Sequence, residues 1–505
     1  MWLSGILLVF ILFLIVLLTI FHYFTNGRKY WFFRNVPYRK PCPIFGNFGA
    51  TFTMRRSYTT MLQFFYDNYR EYKYVGIFIA RRPTLMVIDL DIVKSVLSTE
   101  FSSFSDRAAV STDTRREPLL RNLANMSGAE WKAMRQIVTP SFSSAKMKAM
   151  FPLIADCAQT LKRVLVEESV HEINVPSVMT RFTTDVIGSC KYFELKTQKL
   201  RLPPLNPGSL KNLDSPFLKM SQKMFKIDRS TVLKRYCRTF FPRLFKLLNL
   251  RSYSPDVEAF FTTIISQVMT ERRSGVQRQD FLQLMLNVQN TDSRLPMTDA
   301  LITSNSFIFM LAGLETSATT LSFCLYELAK NKDIQDSVRK EITECLDRYG
   351  GLNYEAVCAM RLVSQAVLET LRLHPPTPMT TRLCTAPTTL DGELSVKLKD
   401  PIMIPIHCIQ RDSRYFANPD KFDPDRFKEE SNPLGFMAFG DGPRGCPGAR
   451  FAQLTVVAGL AAVLSGFAVE PCARTTPRIQ YDPRSVMLKN KGGIWLRFEL
   501  WSLLY

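Results

Sequence analysis

The sequence predicts a mainly α-helical chain with minor β-sheet, tethered by one N-terminal transmembrane helix. Three observations carry this expectation. No side chain from Met1 to Gly27 is charged, Met297 to Lys330 and Tyr354 to His374 carry the apolar spacing of long helices, and β-like runs such as Leu85 to Ile88 are short. Ile6 to Leu18 is uninterrupted aliphatic and aromatic, within a stretch long enough to cross a hydrocarbon core that needs ~20 residues. A cleaved signal peptide is the rival reading, but the basic n-region and the small-residue cleavage pattern are missing. Arg28, Lys29, Arg34, Arg39 and Lys40 follow the apolar run, and the positive-inside rule puts that flank in the cytosol. Pro37, Pro41 and Pro43 cannot continue a helix, so 28–45 reads as a basic, proline-rich linker and 46–505 as one cytosolic domain. Pro375 and Pro376 end the second long helix.

Composition excludes several classes. A chain of 505 residues that is 46% hydrophobic and 22% charged is neither a disordered tail nor a small disulfide scaffold. Eleven cysteines at irregular spacing include no CxxC pair, and the four histidines form no HExxH helix, which argues against a zinc site and for a reducing compartment. Lysine and arginine exceed aspartate and glutamate by 65 − 45 = 20, a surplus that suits anionic partners. Lys196 to Arg251 holds fourteen of those cations against Asp214 and Asp228, interleaved with Phe217, Phe225, Phe240, Phe241 and Phe245. Such a basic, aromatic segment fits an anionic bilayer surface; the alternative is an ordinary solvated helix face.

The densest chemical signal is Phe439-Gly440-Asp441-Gly442-Pro443-Arg444-Gly445-Cys446-Pro447-Gly448. Glycines let backbone approach a flat ligand closely, and N–H groups aimed at sulfur stabilise a thiolate, so Cys446 reads as a metal-binding candidate. A turn around an inert cysteine is the plain alternative. Ala312-Gly313-Leu314-Glu315-Thr316 sets a small-residue notch beside an acid and an alcohol; Gly313 could equally serve helix packing and Thr316 could bond a backbone carbonyl. Glu369 and Arg372 share a helix face, as do Trp131 and Arg135.

The string FGDGPRGCPG resembles the haem-binding signature of the cytochrome P-450 superfamily, the haem-thiolate monooxygenases. That resemblance implies the cytochrome P-450 fold for 46–505, haem b (iron protoporphyrin IX) as cofactor, and Cys446 as its proximal iron ligand. It implies that Phe439 packs beside the sulfur, that Arg444 pairs with a propionate, and that Gly442 and Gly448 allow the tight turn. LETLRLHPP is similar to the family's Glu-x-x-Arg helix and FDPDRF to the segment completing its triad, which makes Glu369, Arg372 and Arg426 structural. AGLET resembles the oxygen-activating helix, with Thr316 and Glu315 delivering protons as general acids beside the notch of Ala312 and Gly313. Trp131, Arg135 and Arg382 match propionate-binding positions. Phe104, Phe309, Thr381 and Val486 fall where the family pattern lines the substrate pocket, although aromatic residues on apolar helices are usually plain core.

Segments such as IVTPSFSSAKMKAMF look most like insect microsomal members of the detoxifying branch. The implied activity is insertion of one oxygen atom of O2 into hydrophobic xenobiotics, lipids or hormones at the endoplasmic reticulum membrane. Electrons would come from NADPH through a flavoprotein reductase, with a cytochrome b-type donor as a second source, because no GxGxxG unit binds a nucleotide here. Membrane lipid and a hydrophobic small molecule complete the expected partners; nucleic acid is not among them. Two departures stand out. Pro447 replaces an aliphatic residue after the ligand and removes an N–H that could reach the thiolate, and Gln410 replaces a histidine common before Arg411-Asp412. A haem-thiolate isomerase acting on peroxides and a membrane-tethered basic binding protein are the alternatives; the second predicts no haem.

Overall fold

The computed structural model describes residues 2–107, 113–168, 172–191, 208–225, 228–275, 280–289, 295–429 and 433–500. Helices dominate, with nine short strands among the described residues. They are β1 (Tyr74–Ile79), β2 (Arg82–Val87), β3 (Glu172–Asn174), β4 (Thr380–Leu383), β5 (Thr388–Leu390), β6 (Leu394–Val396), β7 (Pro401–Ile404), β8 (Phe467–Pro471) and β9 (Trp495–Leu500). One sheet has the order β1-β2-β7-β4, a second β3-β9-β8, and β5 pairs with β6. Among the described strands, β2 and β7 are the one parallel pair, with Leu85 opposite Ile402.

The uncharged N-terminus forms one helix, Trp2–Thr25. Its Gly5–Tyr23 window has a mean hydropathy of 3.0 and none of it is buried, so its length and composition are those of a membrane span. The only other helix among the described residues long and apolar enough to cross a membrane, Asp299–Lys330, is largely buried and is the core. It begins where Thr298 accepts the Leu301 amide at 3.3 Å and ends with Lys330 in its last turn. Helices Val175–Lys191, Arg361–Leu373 and Ala449–Leu464 pack around it. Gly313 makes the closest approach possible: a Cβ there would overlap Ile187 Cδ1 of the Val175–Lys191 helix.

One expected helix needs correction. The expected single helix from Tyr354 to His374 is two, Tyr354–Ala359 and Arg361–Leu373, broken at Met360. A distant side chain causes the break: the Glu341 carboxylate accepts the Leu362 and Val363 amides at 2.9 Å each and so caps the second helix. Part of the 28–45 segment, expected as a semi-rigid linker, packs against the rest of the chain. Trp31 and Val36 are buried, Trp31 Nε1 donates to the Ile77 carbonyl at 3.2 Å, and Arg34 pairs with Asp400 at 3.1 Å. Gly76 on β1 has room for the Trp31 indole only because it lacks a Cβ.

The basic segment also differs from its expectation. Phe217 and Phe245 are core residues, Phe217 meeting Phe261 edge-on at 5.7 Å. The apolar side chains left exposed there are leucines, among them Leu233, Leu247 and Leu248. Lys196, Lys199, Arg201 and Lys226 lie outside the described residues.

Candidate active site

The cysteine loop is folded back on itself by backbone bonds. Cys446 N donates to the Phe439 carbonyl at 2.8 Å and Gly445 N to the Gly442 carbonyl at 2.9 Å. Gly442 sits at φ +66°, and a Cβ there would collide with the Leu97 carbonyl, so both conformation and space demand glycine. Gly448, expected to serve the same turn, has φ −95° and instead precedes the Ala449–Leu464 helix as its N-cap. The loop thus presents the exposed Cys446 side chain toward a cavity of about 330 Å³.

That cavity lies between the cysteine loop and the Asp299–Lys330 helix. Trp131, Arg135, Phe309, Ala312, Gly313, Thr316, Arg382, Phe439, Arg444 and Gly448 line it with Cys446, which brings together eleven of the residues singled out from sequence. Arg107, which no sequence pattern marked, lines it as well. It follows Asp106 in an ordinary polar run, and nothing local distinguishes it from a loop arginine.

Four guanidinium groups therefore face one space. Arg444 lies 4.1 Å over the Trp131 ring, and its Nε and Nη2 donate to the Ser105 and Met126 carbonyls at 2.9 Å. Arg135 donates to the Gly445 carbonyl at 2.8 Å. Burial, then repulsion from Arg107 and other cations, pulls Arg444 down to about 9 and Arg382 down to about 10. Arg107 Nε, Arg382 Nε and Arg444 Nη1 are buried with no hydrogen-bond partner. A cluster of buried, repelling, under-bonded cations calls for anions. A thiol on the same cavity suits a soft metal ligand. A flat metal cofactor with acidic edge groups fits both sets of residues.

Beneath the loop, Glu369 and Arg372 are fully buried and joined by two bonds of 2.7 and 2.8 Å. Arg372 also donates to the Gln410 and Pro419 carbonyls at 2.8 Å each, and Glu369 accepts the Asp423 amide at 2.9 Å. Arg426 approaches Glu369 at a longer 3.4 Å. Every strong partner of this pair is backbone of the chain leading into the loop, which is how it clamps that chain.

The acid and alcohol do not share a face. Thr316 lines the cavity, with its hydroxyl donating to the Ala312 carbonyl at 2.6 Å. Glu315, 100° round the helix, faces a second cavity and pairs with Lys489. Of the residues expected around substrate, Phe309 lines the first cavity; Phe104 is fully buried in another cluster, Thr381 is outside the lining, and Val486 is exposed. None of these three side chains lines the first cavity, because side-chain direction is set by packing as well as by position in the chain.

The sequence as a whole is similar to known proteins. The cytochrome P450 family profile matches residues 36–497. Cytochrome P450 6a2 of Drosophila melanogaster is 34% identical over 97% of this chain and 99% of its own length. Cytochrome P450 6k1 of Blattella germanica is 32% identical over 94% of each chain, and cytochrome P450 6B1 of Papilio polyxenes 31% over 96% and 99%.

Proposed function

The chain belongs to the cytochrome P450 family, and from that premise we propose that it is a membrane-bound haem-thiolate monooxygenase of the endoplasmic reticulum. In this reading it inserts one oxygen atom of O2 into hydrophobic organic substrates, xenobiotics foremost, with electrons from NADPH through a flavoprotein reductase. The observation that carries it is the placement of one thiol, Cys446, and four guanidinium groups on a single cavity.

When bound, haem b supplies the activation of dioxygen. The chain's own residues bind and orient it: Cys446 holds the iron, while Arg107, Arg135, Arg382 and Arg444 hold the acidic edge with Trp131 beneath Arg444. Arg444 and Arg382 regain ordinary basicity once anions face them. Thr316, whose proton is committed to Ala312, keeps lone pairs with which to accept from and orient a proton-donating water. Glu315 serves that water from the other side of the helix only after leaving Lys489. Ile308, Phe309 and Leu123 give the cavity an apolar wall that favours hydrophobic substrates and excludes water. The apolar Trp2–Thr25 helix and the exposed leucines of 228–250 support residence at a membrane, and the cationic surplus supports docking of an acidic reductase.

The deciding measurement is the visible spectrum of the reduced, carbon-monoxide-treated protein. A Soret band at the position of thiolate-ligated haem supports the reading, and Cys446→Ala should abolish it while membrane attachment persists. A colourless protein expressed with ample haem, or a band unchanged by that substitution, overturns it. Turnover that requires NADPH and reductase separates a monooxygenase from an isomerase that needs only a hydroperoxide.

A further inference from the structure

Thr316 reaches the first cavity from a stretch of helix whose backbone is loosened by its own side chains. The Thr316 hydroxyl donates to the Ala312 carbonyl at 2.6 Å, the Thr320 hydroxyl to the Thr316 carbonyl at 2.9 Å, and the Ser322 hydroxyl to the Ala318 carbonyl at 2.7 Å. Hydroxyls bonded back one turn weaken a helix slightly and often bend it. Because the Thr316 side chain is tied to its own helix, its place on the cavity follows wherever this backbone goes.

The Leu314 carbonyl of the same turn is bonded from outside the helix. Thr183, fully buried on the Val175–Lys191 helix, donates to it at 2.9 Å. The single Thr183 proton has two further acceptors in reach, the Met179 and Thr180 carbonyls of its own helix, at the longer distances of 3.1 and 3.3 Å. A carbonyl offers two lone pairs, so the bond from Thr183 adds to the helical one without displacing it. One turn beyond Thr183, Ile187 packs on Gly313. An apolar contact and a hydrogen bond thus hold one turn against one neighbour, and of the two only the bond is directional.

We propose that Thr183 is a positioning residue for oxygen activation: by holding the Leu314 carbonyl it fixes the 312–316 turn, and with it the Thr316 hydroxyl, relative to Cys446. Thr183 itself lies off the cavity lining and touches neither cofactor nor substrate. This role rests on the monooxygenase reading, in which Thr316 orients a proton-donating water.

Full-length protein in phosphatidylcholine nanodiscs is compared as wild type, Thr183→Val, Thr183→Ser and Thr184→Val. Valine keeps the shape of threonine without the donor, serine keeps the donor, and Thr184 donates within its own helix, to Thr180 at 2.6 Å. Two readouts need no substrate. Amide hydrogen exchange across 312–320 should run about fivefold faster in Thr183→Val. The infrared C–O stretch of the reduced carbon-monoxide complex, which senses polar groups beside the bound ligand, should shift or broaden beyond wild type. Thr183→Ser should restore both, and Thr184→Val should move neither. Wild-type exchange or an unaltered C–O band in Thr183→Val, no recovery with serine, or the same change in Thr184→Val overturns the proposal. If Thr183→Val does not fold, Thr183→Ala, which adds no bulk, is held to the same criteria. If the wild-type protein gives no thiolate-type Soret band, the monooxygenase reading fails, and exchange alone then decides whether Thr183 holds the turn.

Discussion

Gln410 and Met437 are locked together 27 residues apart: Gln410 Oε1 accepts the Met437 amide at 2.8 Å, while its Nε2 donates to the Leu371 and Arg372 carbonyls at 3.0 Å. The departure that sequence left without consequence is thus a fully buried tie between the end of the Arg361–Leu373 helix and the start of the cysteine loop.

Gln410→Ala should leave three buried backbone groups without partners, for a loss of about 2–4 kcal/mol given 1–3 kcal/mol per unsatisfied group with partial relaxation. Thermal unfolding checks the stability, and the Soret-to-protein ratio checks the loop. A ratio that stays at wild type in a folded variant counts against the tie.

The buried ion pair ranks its members. Glu369→Gln or Arg372→Met leaves an uncompensated buried charge and should cost about 3–5 kcal/mol, whereas Arg426→Ala, at the longer and less buried contact, should cost clearly less. Expression yield and denaturant midpoints of the three variants give the order.

Gly313→Ala should destabilise through Ile187 rather than through cofactor contact, since the added methyl group points at that side chain. Overpacking of this kind costs ~1–3 kcal/mol. The double variant Gly313→Ala, Ile187→Ala should recover part of the loss, and additive single effects in that cycle would refute the contact.

Stability should fall on the acid side through two imidazoles. Burial holds His407 well below its ordinary 6.5, with Arg411 and His374 pushing the same way, and burial lowers His374 despite its 2.7 Å bond to Glu327. The unfolded chain then binds these protons at a higher pH than the folded one, so the stabilisation is complete above the unfolded value and is lost as pH falls below ~6.5, by at most ~1.4 kcal/mol per pH unit for each imidazole. Melting temperatures from pH 8 to 5 should decline, and His407→Phe should flatten the decline even though it gives up the 3.1 Å bond to Tyr481.

Much of the site was legible because it is local. The cysteine loop must turn within ten residues, so its glycines and Cys446 sit together in the sequence, and the Glu369–Arg372 pair spans one helical turn. Arg107 was not legible, because its meaning comes from Arg444 and Arg382, distant in the chain. Phe217 and Phe245 read as membrane-facing until the burial of each was known.

Hydrophobic period, the proline stop after the Arg361–Leu373 helix and the thiol-bearing turn were set by the order of residues alone, since short-range sterics and burial of apolar stripes need no partner to be specified. Which side of the Asp299–Lys330 helix Glu315 serves, where Met360 breaks a helix, and what Gln410 holds depended on long-range contacts with Lys489, Glu341 and Met437. Those pairings form only when elements far apart in the chain close-pack, and packing decides which buried polar group finds which partner.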